Sequence, residues 1–151
     1  MKRVEEARKN LENDHYLETI FEFFLCKGGY CIKRYKGRDA GIVIPSMYKG
    51  KPIVMIDSDC FRYYKDGNYS GNKNITKVTI PSSVKVIGDR AFYGCSNLTD
   101  VTIPSSVWKV GGKVFTDCPH AIIKCRSKKK GLFWKKCWNG DCPVVYDYDG
   151  E

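Results

Sequence analysis

The sequence has few of the side chains that catalysis uses most often. Its 151 residues include two histidines, His15 and His120, and no glycine-rich loop of the kind that binds phosphate. His15 lies in a charged N-terminal segment, and His120 lies in a turn. We therefore predict that the protein is not an enzyme and has no catalytic residues, no metal site and no cofactor.

Long apolar runs are also absent. No stretch of about 18 consecutive apolar residues occurs, so we predict no membrane-spanning helix. The first residues, Met1–Arg8, lack the apolar core of a signal peptide. This predicts a cytoplasmic location if the sequence is complete.

The most informative feature is a unit of 23 residues that occurs twice in succession. Residues 75–84 (ITKVTIPSSV) open the first copy, and residues 98–107 (LTDVTIPSSV) open the second. The same offset relates later positions in pairs, namely Ile87 and Val110, Phe92 and Phe115, and Cys95 and Cys118. A period of this size is typical of a solenoid, in which each coil buries its apolar side against the next coil.

The start of each repeat has the alternation of a β-strand. Val78 and Ile80 should point to one face and Lys77 and Thr79 to the other, because successive side chains of a strand alternate. Pro81 should end the strand, since proline has no N–H for strand pairing. In the second copy Asp100 and Thr102 take the outward positions.

A degenerate copy of the unit precedes these two. Residues 42–46 (IVIPS) match the strand and its proline, and residues 53–61 match the later apolar positions with two insertions. Five extra residues fall in the turn Met47–Pro52, and about eight fall in the polar stretch Tyr63–Lys73. The second stretch contains two Gly-Asn steps, so we predict a loop there.

The N-terminal part does not follow the repeat. We predict a charged helix over residues 1–18, whose apolar stripe is thin, and a capping β-hairpin over residues 19–41. The hairpin turn is assigned to Gly28-Gly29. This hairpin would cover the open end of the solenoid, which otherwise exposes an unpaired edge.

The repeat closely resembles that of the BspA-type leucine-rich repeat family. The resemblance rests on residues 80–84 (IPSSV) and 87–98 (IGDRAFYGCSNL), and residues 30–53 look like the usual first repeat of that family. It implies a leucine-rich repeat solenoid that is mostly β, with short 3₁₀ or irregular convex segments. It also implies adhesion or protein binding, often on microbial surfaces, without catalytic residues. We assign about three coils of the 23-residue type to residues 42–125.

Residues 126–151 are predicted to form a C-terminal cap followed by an acidic tail. The segment Lys124–Lys136 has seven basic residues and no acid, so most of the formal net charge of +9 is local. Two interpretations remain open. Either the segment is a solvated cap whose lysine stems cover aromatic rings, or it binds an anionic polymer such as single-stranded nucleic acid. The anion-binding candidates are Lys128, Lys129, Lys130, Trp134, Lys135 and Lys136.

The eight cysteines favour structural roles. Cys95 and Cys118 share a repeat position and should be small buried core residues. A disulfide between Cys26 and Cys31 is geometrically possible across the hairpin, but the apparent intracellular location favours free thiols. A zinc site built from that pair and from Cys137 and Cys142 is disfavoured, because the pairs lie at opposite ends of the solenoid and their spacing is wide.

These observations predict a non-enzymatic protein-binding module. The candidate partner-binding residues are the outward strand residues Lys77, Thr79, Asp100 and Thr102, since repeat proteins commonly bind through such a surface. The partner is expected to be a protein whose identity the sequence does not name. The alternative function is binding of an anionic polymer by the basic segment.

Overall fold

The structure, a computed structural model, describes residues 1–150 and contains one helix and fourteen strands in that range. In chain order the elements are α1 (Lys2–Ile20), β1 (Phe21–Cys26), β2 (Gly29–Tyr35), β3 (Gly41–Val43), β4 (Met47–Tyr48), β5 (Lys51–Ile56), β6 (Arg62–Lys65), β7 (Asn68–Gly71), β8 (Lys77–Thr79), β9 (Val86–Ile87), β10 (Asp100–Ile103), β11 (Lys109–Val110), β12 (Ile122–Cys125), β13 (Phe133–Trp134) and β14 (Val144–Val145).

The strands form two sheets that run along a β-solenoid. The five-stranded sheet has the order β14-β12-β10-β8-β3, and all of its pairs are parallel. The seven-stranded sheet has the order β1-β2-β5-β9-β11-β13, with β4 attached to β5. Because the chain alternates between the sheets, each coil contributes one strand to each of them. The result is a mostly β leucine-rich repeat solenoid of about five turns, which confirms the predicted fold class.

The core lies between the two sheets and consists of equivalent residues from successive coils. On the five-stranded sheet, Val78 pairs with Val101, which pairs with Ile123, and all three are buried. Thr79 and Thr102 form the next row and point outward, as the alternation predicted. Each of these side chains is shielded from water by its equivalent in the next coil, so the row is buried only when the coils are stacked.

A column of aromatic rings runs through the coils. The Phe92 ring lies parallel to that of Phe61 at a centroid distance of 4.7 Å and to that of Phe115 at 5.3 Å. Trp138 continues the column with an edge contact to Phe115 at 6.2 Å. The sequence period thus becomes a continuous stack of buried rings.

Buried cysteines follow the aromatic column, as predicted for Cys95 and Cys118. The Cys118 thiol donates a hydrogen bond to the Phe92 carbonyl at 3.1 Å, and the Cys142 thiol donates to the Phe115 carbonyl at 3.5 Å. Burial raises the pKa of both the Cys95 and Cys118 thiols to about 12. These thiols are therefore protonated and serve to pack the core.

The helix and the hairpin at the N-terminus are confirmed, with shifted boundaries. Helix α1 ends at Ile20, so the last residues of the ambiguous segment are helical and the strand begins at Phe21. The helix is anchored only near its end, where Leu17 is buried and the Glu18 carboxylate accepts a hydrogen bond from the Tyr48 hydroxyl. Strands β1 and β2 are antiparallel, and β2 pairs with β5, so the hairpin covers the first coil.

The prediction of free thiols in this hairpin is wrong. Cys26 and Cys31 form a disulfide with their Cα atoms 6.3 Å apart. The turn lies at Lys27-Gly28 rather than at Gly28-Gly29, because Gly29 already pairs with Cys26 across the hairpin. The prediction relied on the apparent cellular location, whereas the hairpin geometry brings the two sulfurs together.

Both insertions form β-hairpins. Residues 47–52 form the short β4–β5 pair, which is the turn anticipated there. The prediction of a loop at Tyr63–Lys73 is wrong, because β6 and β7 pair in antiparallel register around Asp66 and Gly67. Both turn residues have positive φ, 52° and 81°, and an Asp-Gly turn of this kind matches the twist of the flanking strands.

The number of coils exceeds the predicted three because the C-terminal segment also coils. Strands β13 and β14 lie in register beside β11 and β12. Trp134 occupies the position of Val110, and Trp138 packs below Phe115. The change of residue type at these positions conceals the repeat, although each position stays apolar.

Gly111 allows two neighbouring coils to approach closely, and we expect Gly111→Ala to destabilise the protein by about 1–3 kcal/mol. A Cβ atom there would lie 2.5 Å from the Asp89 backbone nitrogen, which cannot move without disturbing the preceding coil. The neighbouring Gly112→Ala is the matched control, since its Cβ would meet no atom closer than the Cys137 sulfur at 3.4 Å. Equilibrium unfolding in urea measures both variants. Equal stability of the two variants would contradict the close approach.

The thiols should react in three classes. In the native protein we expect prompt alkylation of Cys137 alone, because it is the exposed one of the six free cysteines. The unfolded, unreduced chain should show six reactive thiols, and the reduced chain should show all eight. Mass spectrometry after alkylation counts them. Eight thiols without reductant would contradict the Cys26–Cys31 disulfide.

Candidate protein-binding surfaces

The four predicted partner-binding residues lie together on the outward side of the five-stranded sheet. Asp100 pairs with Lys77 in one row, and Thr102 pairs with Thr79 in the next. Lys124 extends the second row, since it pairs with Thr102 on the other side. Parallel, in-register coils bring these residues side by side although they are 22 or 23 residues apart in the chain.

Charges on this surface are partly neutralised by each other. The Asp100 carboxylate lies 3.3 Å from the Lys124 Nζ and 3.9 Å from the Lys77 Nζ. The side chains remain 36%, 29% and 62% exposed respectively, so the ion pairs are accessible to solvent and contribute little stability. They are available to a partner that offers charges of its own.

The C-terminal segment closes one side of this surface and forms a shallow depression. Its volume is about 320 Å³, and Thr102, Lys124, Arg126 and Tyr148 are among its lining residues. The Tyr148 ring lies 5.0 Å from the Lys124 Nζ and 6.0 Å from the Arg126 Cζ, within the range of cation–π contacts. Its backbone N–H donates a hydrogen bond to the Cys125 carbonyl at 2.9 Å, which holds the segment in place.

Sequence reasoning missed Lys124, Arg126 and Tyr148 as members of this surface. Lys124 takes the strand position that Thr102 has in the preceding coil, so the repeat offset contained a usable signal. Tyr148 lies in the predicted acidic tail, and no periodic pattern predicts its position.

The basic segment is exposed, but the tryptophan beside it is not. Lys128, Lys129, Lys130, Lys135 and Lys136 are all exposed. Trp134 is 3% exposed, stacks edgewise on Trp138 at 4.8 Å and donates its indole N–H to the Val107 carbonyl at 3.3 Å. Neither tryptophan offers a free face to a base, so the predicted stacking surface for nucleic acid does not exist at Trp134.

Cys118 and His120 are close in the sequence but are not arranged as a nucleophile and a base. The Cys118 thiol is buried and bonds to a carbonyl, while His120 is exposed. Within residues 1–150 no group of three or more metal-ligating side chains occurs. The only helix in that range, α1, is too polar to cross a membrane.

Comparison with known proteins supports a leucine-rich repeat. The sequence model of the "BspA type Leucine rich repeat region (6 copies)" matches residues 56–132. No curated protein matches the sequence.

Two solved bacterial structures are similar to this chain. A leucine rich cell surface protein from Faecalibacterium prausnitzii is 31% identical with a TM-score of 0.57, over 68% of this chain and 28% of that one. A leucine-rich repeat protein from Bacteroides ovatus is 20% identical with a TM-score of 0.55, over 84% of this chain and 36% of that one, which shows the fold alone. This chain therefore spans only about a third of the length of each of these two proteins. With half of its length matched by the family model, this chain belongs to the BspA-type leucine-rich repeat family.

Proposed function

We propose that this chain is a non-enzymatic protein-binding module that captures a partner on the outward side of the five-stranded sheet. The observation that carries the proposal is the alignment of Lys77, Thr79, Asp100 and Thr102 in two adjacent rows of parallel strands. Leucine-rich repeats are commonly used for protein binding, and extended repeat surfaces suit this role.

The chemistry of this surface suits a polar protein epitope. Threonine hydroxyls can donate and accept hydrogen bonds, and the Asp100 carboxylate sits between two lysines. The Tyr148 ring adds a partly exposed aromatic group, a residue type enriched at interfaces. A partner can therefore exchange the intramolecular ion pairs for intermolecular ones.

A cell-surface location is part of the proposal. The similar protein from Faecalibacterium prausnitzii is a cell surface protein. The Cys26–Cys31 disulfide supports the same location for this chain, because disulfides persist in oxidising environments. On a surface, the module would serve adhesion or assembly with another protein.

Replacing both Thr79 and Thr102 with glutamate is expected to abolish partner capture. The two carboxylates would fill the row that Thr79 and Thr102 form and would face Lys77 and Lys124 beside it. The measurement is quantitative mass spectrometry of the proteins retained by the immobilised chain, compared with the wild type. The far-UV circular dichroism spectrum should not change, since both positions point to solvent.

The matched control is the double variant Thr76→Glu with Thr99→Glu. These threonines are also exposed, lie 23 residues apart in the same two coils, and occupy the turns before the strands. Capture should persist in this control. Retention of the same proteins in equal amounts by all three chains would refute the assignment of this surface.

A further inference from the structure

The outward side of the seven-stranded sheet carries an apolar groove that the proposed function does not use. Its floor follows the strand register, in which Met55 of β5 lies beside Val86 of β9. The groove has a volume of about 940 Å³, and its principal lining residues are Phe24, Pro52, Val54, Met55, Val86 and Trp108. We refer to these six residues as the apolar groove.

The apolar residues of this groove are not needed to cover the solenoid interior. The inward row of the same sheet, which includes Ile56 and Ile87, is already buried between the sheets. Trp108, in contrast, is 52% exposed, and Phe24 is 38% exposed. These two rings are not part of the solenoid core, and their exposed surfaces are available for contact with a partner.

Positive charge borders the groove at several points along its length. Lys27 and Lys85 are the charged residues that line it. Trp108 also borders a second depression of about 480 Å³, whose wall contains Lys128, Lys129 and Lys130. Among residues 1–150, no aspartate or glutamate lines either depression. Together the two form a continuous surface that is apolar along its length and cationic at its border.

An aromatic pair joins the two depressions. The Trp108 ring makes an edge contact with the Phe133 ring at 5.6 Å, and Phe133 is 61% exposed. The contact restricts the orientation of both rings and leaves about half of each side chain exposed. Exposed, mutually supported aromatic residues are typical of positions that contribute most to binding.

We propose that this surface binds an acidic peptide segment of a partner protein, with apolar side chains in the groove and carboxylates against the lysines. A row across six strands measures about 24 Å at a strand spacing of about 4.8 Å, which matches an extended peptide of about seven or eight residues. We choose an acidic peptide because the charged residues that line the two depressions are all lysines, which complement carboxylates. This surface lies on the sheet opposite the proposed partner-binding face and binds independently of it.

A nucleic acid fits this surface less well than an acidic peptide. Much of the groove is aliphatic, with Pro52, Val54, Met55 and Val86 forming the floor. Single-stranded nucleic acid needs a basic track along its backbone and aromatic faces for successive bases. The exposed rings of Trp108 and Phe133 meet edge to face at one end of the surface and form no run along it, and the cap tryptophans Trp134 and Trp138 are buried.

The test is selection from a displayed library of random peptides on the whole 151-residue chain. Peptides of about ten residues include the seven or eight that span the surface. We expect enriched peptides that combine glutamate or aspartate with leucine, phenylalanine or similar residues. The best of them, made synthetically, should bind saturably in fluorescence anisotropy. The Trp108→Ala variant should bind at least about tenfold more weakly, since buried tryptophan contacts are frequent hot spots.

Three controls make the result specific. Tyr16→Ala removes an equally exposed aromatic residue from helix α1 and should leave the affinity unchanged. The Thr79→Glu, Thr102→Glu double variant should also bind the peptide normally, which separates this surface from the proposed partner-binding face. Replacing Lys128, Lys129 and Lys130 with alanine should weaken binding and flatten its dependence on salt.

Several results would overturn the proposal. These are the absence of enriched peptides, enrichment of basic or uncharged peptides, and unchanged peptide affinity in Trp108→Ala. Displacement of the peptide by oligothymidine that itself binds more tightly would assign the surface to nucleic acid instead. Concentration-dependent association of the wild type that Trp108→Ala abolishes, without peptide binding, would assign it to a second copy of this chain.

Discussion

Replacing Phe92 with alanine is expected to lower the free energy of unfolding by about 3–5 kcal/mol, which is a large part of the stability of a domain of this size. The Phe92 ring is fully buried and lies parallel to the rings of the coils before and after it. Its removal therefore opens a cavity that borders both neighbouring coils. The surrounding strands are tied in register on two sheets, so they cannot collapse to fill it.

The same substitution should reduce cooperativity. In a solenoid each coil contacts only its neighbours, so a defect in a middle coil weakens both of its interfaces at once. We expect a lower slope of the unfolding free energy against urea concentration, or two transitions in place of one. Phe92→Leu is the control, because it keeps most of the volume and should cost clearly less. A loss below about 1 kcal/mol for Phe92→Ala would contradict a central role of the aromatic column.

Replacing Trp138 with alanine is expected to have an effect of similar size, about 3–5 kcal/mol. Trp138 is 2% exposed and contacts both Phe115 and Trp134, so it covers the open side of the Phe115 ring at the end of the aromatic column. Without it the Phe115 ring would be exposed to water, and the thin fifth coil would lose its main contact. Thermal and urea unfolding, followed by far-UV circular dichroism, measure the loss.

Trp108→Ala is the matched control for Trp138→Ala. It removes the same side chain from the exposed surface of the seven-stranded sheet, where its aromatic contact is the edge pair with Phe133. The expected loss is at most about 1 kcal/mol. Equal losses for the two tryptophans would show that the fifth coil does not stabilise the solenoid. The contrast also ensures that weaker peptide binding by Trp108→Ala reports on the surface and not on unfolding.

The two outward faces of the solenoid differ in chemistry for a simple geometric reason. Each coil contributes one strand to each sheet, so equivalent side chains accumulate in rows on both sides of the core. On the five-stranded sheet these rows contain Thr79, Thr102 and the ion pairs of Asp100. On the seven-stranded sheet they contain Met55 and Val86. One short solenoid thus presents a polar face and an apolar face.

Much of the fold was predictable from the repeat. The offset of 23 residues correctly placed Val78 and Val101 in the core and Thr79 and Thr102 on the surface. The N-terminal hairpin was also correctly predicted from the two β-prone segments around its glycines. These features depend on the alternation within each strand and on the stacking of equivalent positions in successive repeats. Both can be seen from the regular spacing of the repeats in the sequence.

Other features escaped prediction because they depend on residues that do not share the repeat. The β6–β7 hairpin lies in an insertion, and the fifth coil replaces Val110 and Phe115 by Trp134 and Trp138. The apolar groove was missed for a related reason. Its residues come from the hairpin cap, the first repeat and the later coils, and no local pattern in the sequence brings these segments together.

The period, the inward and outward alternation of each strand and the family of the repeat were thus determined by the sequence alone, because they require only the regular spacing of apolar residues. The tertiary structure decided the coil count and the position of Trp108 beside Phe133, in a groove that Phe24 also lines. These depend on which distant segments lie side by side once the coils are stacked. Only stacking sets those distances, and it is driven by burial of a core that no single coil can cover.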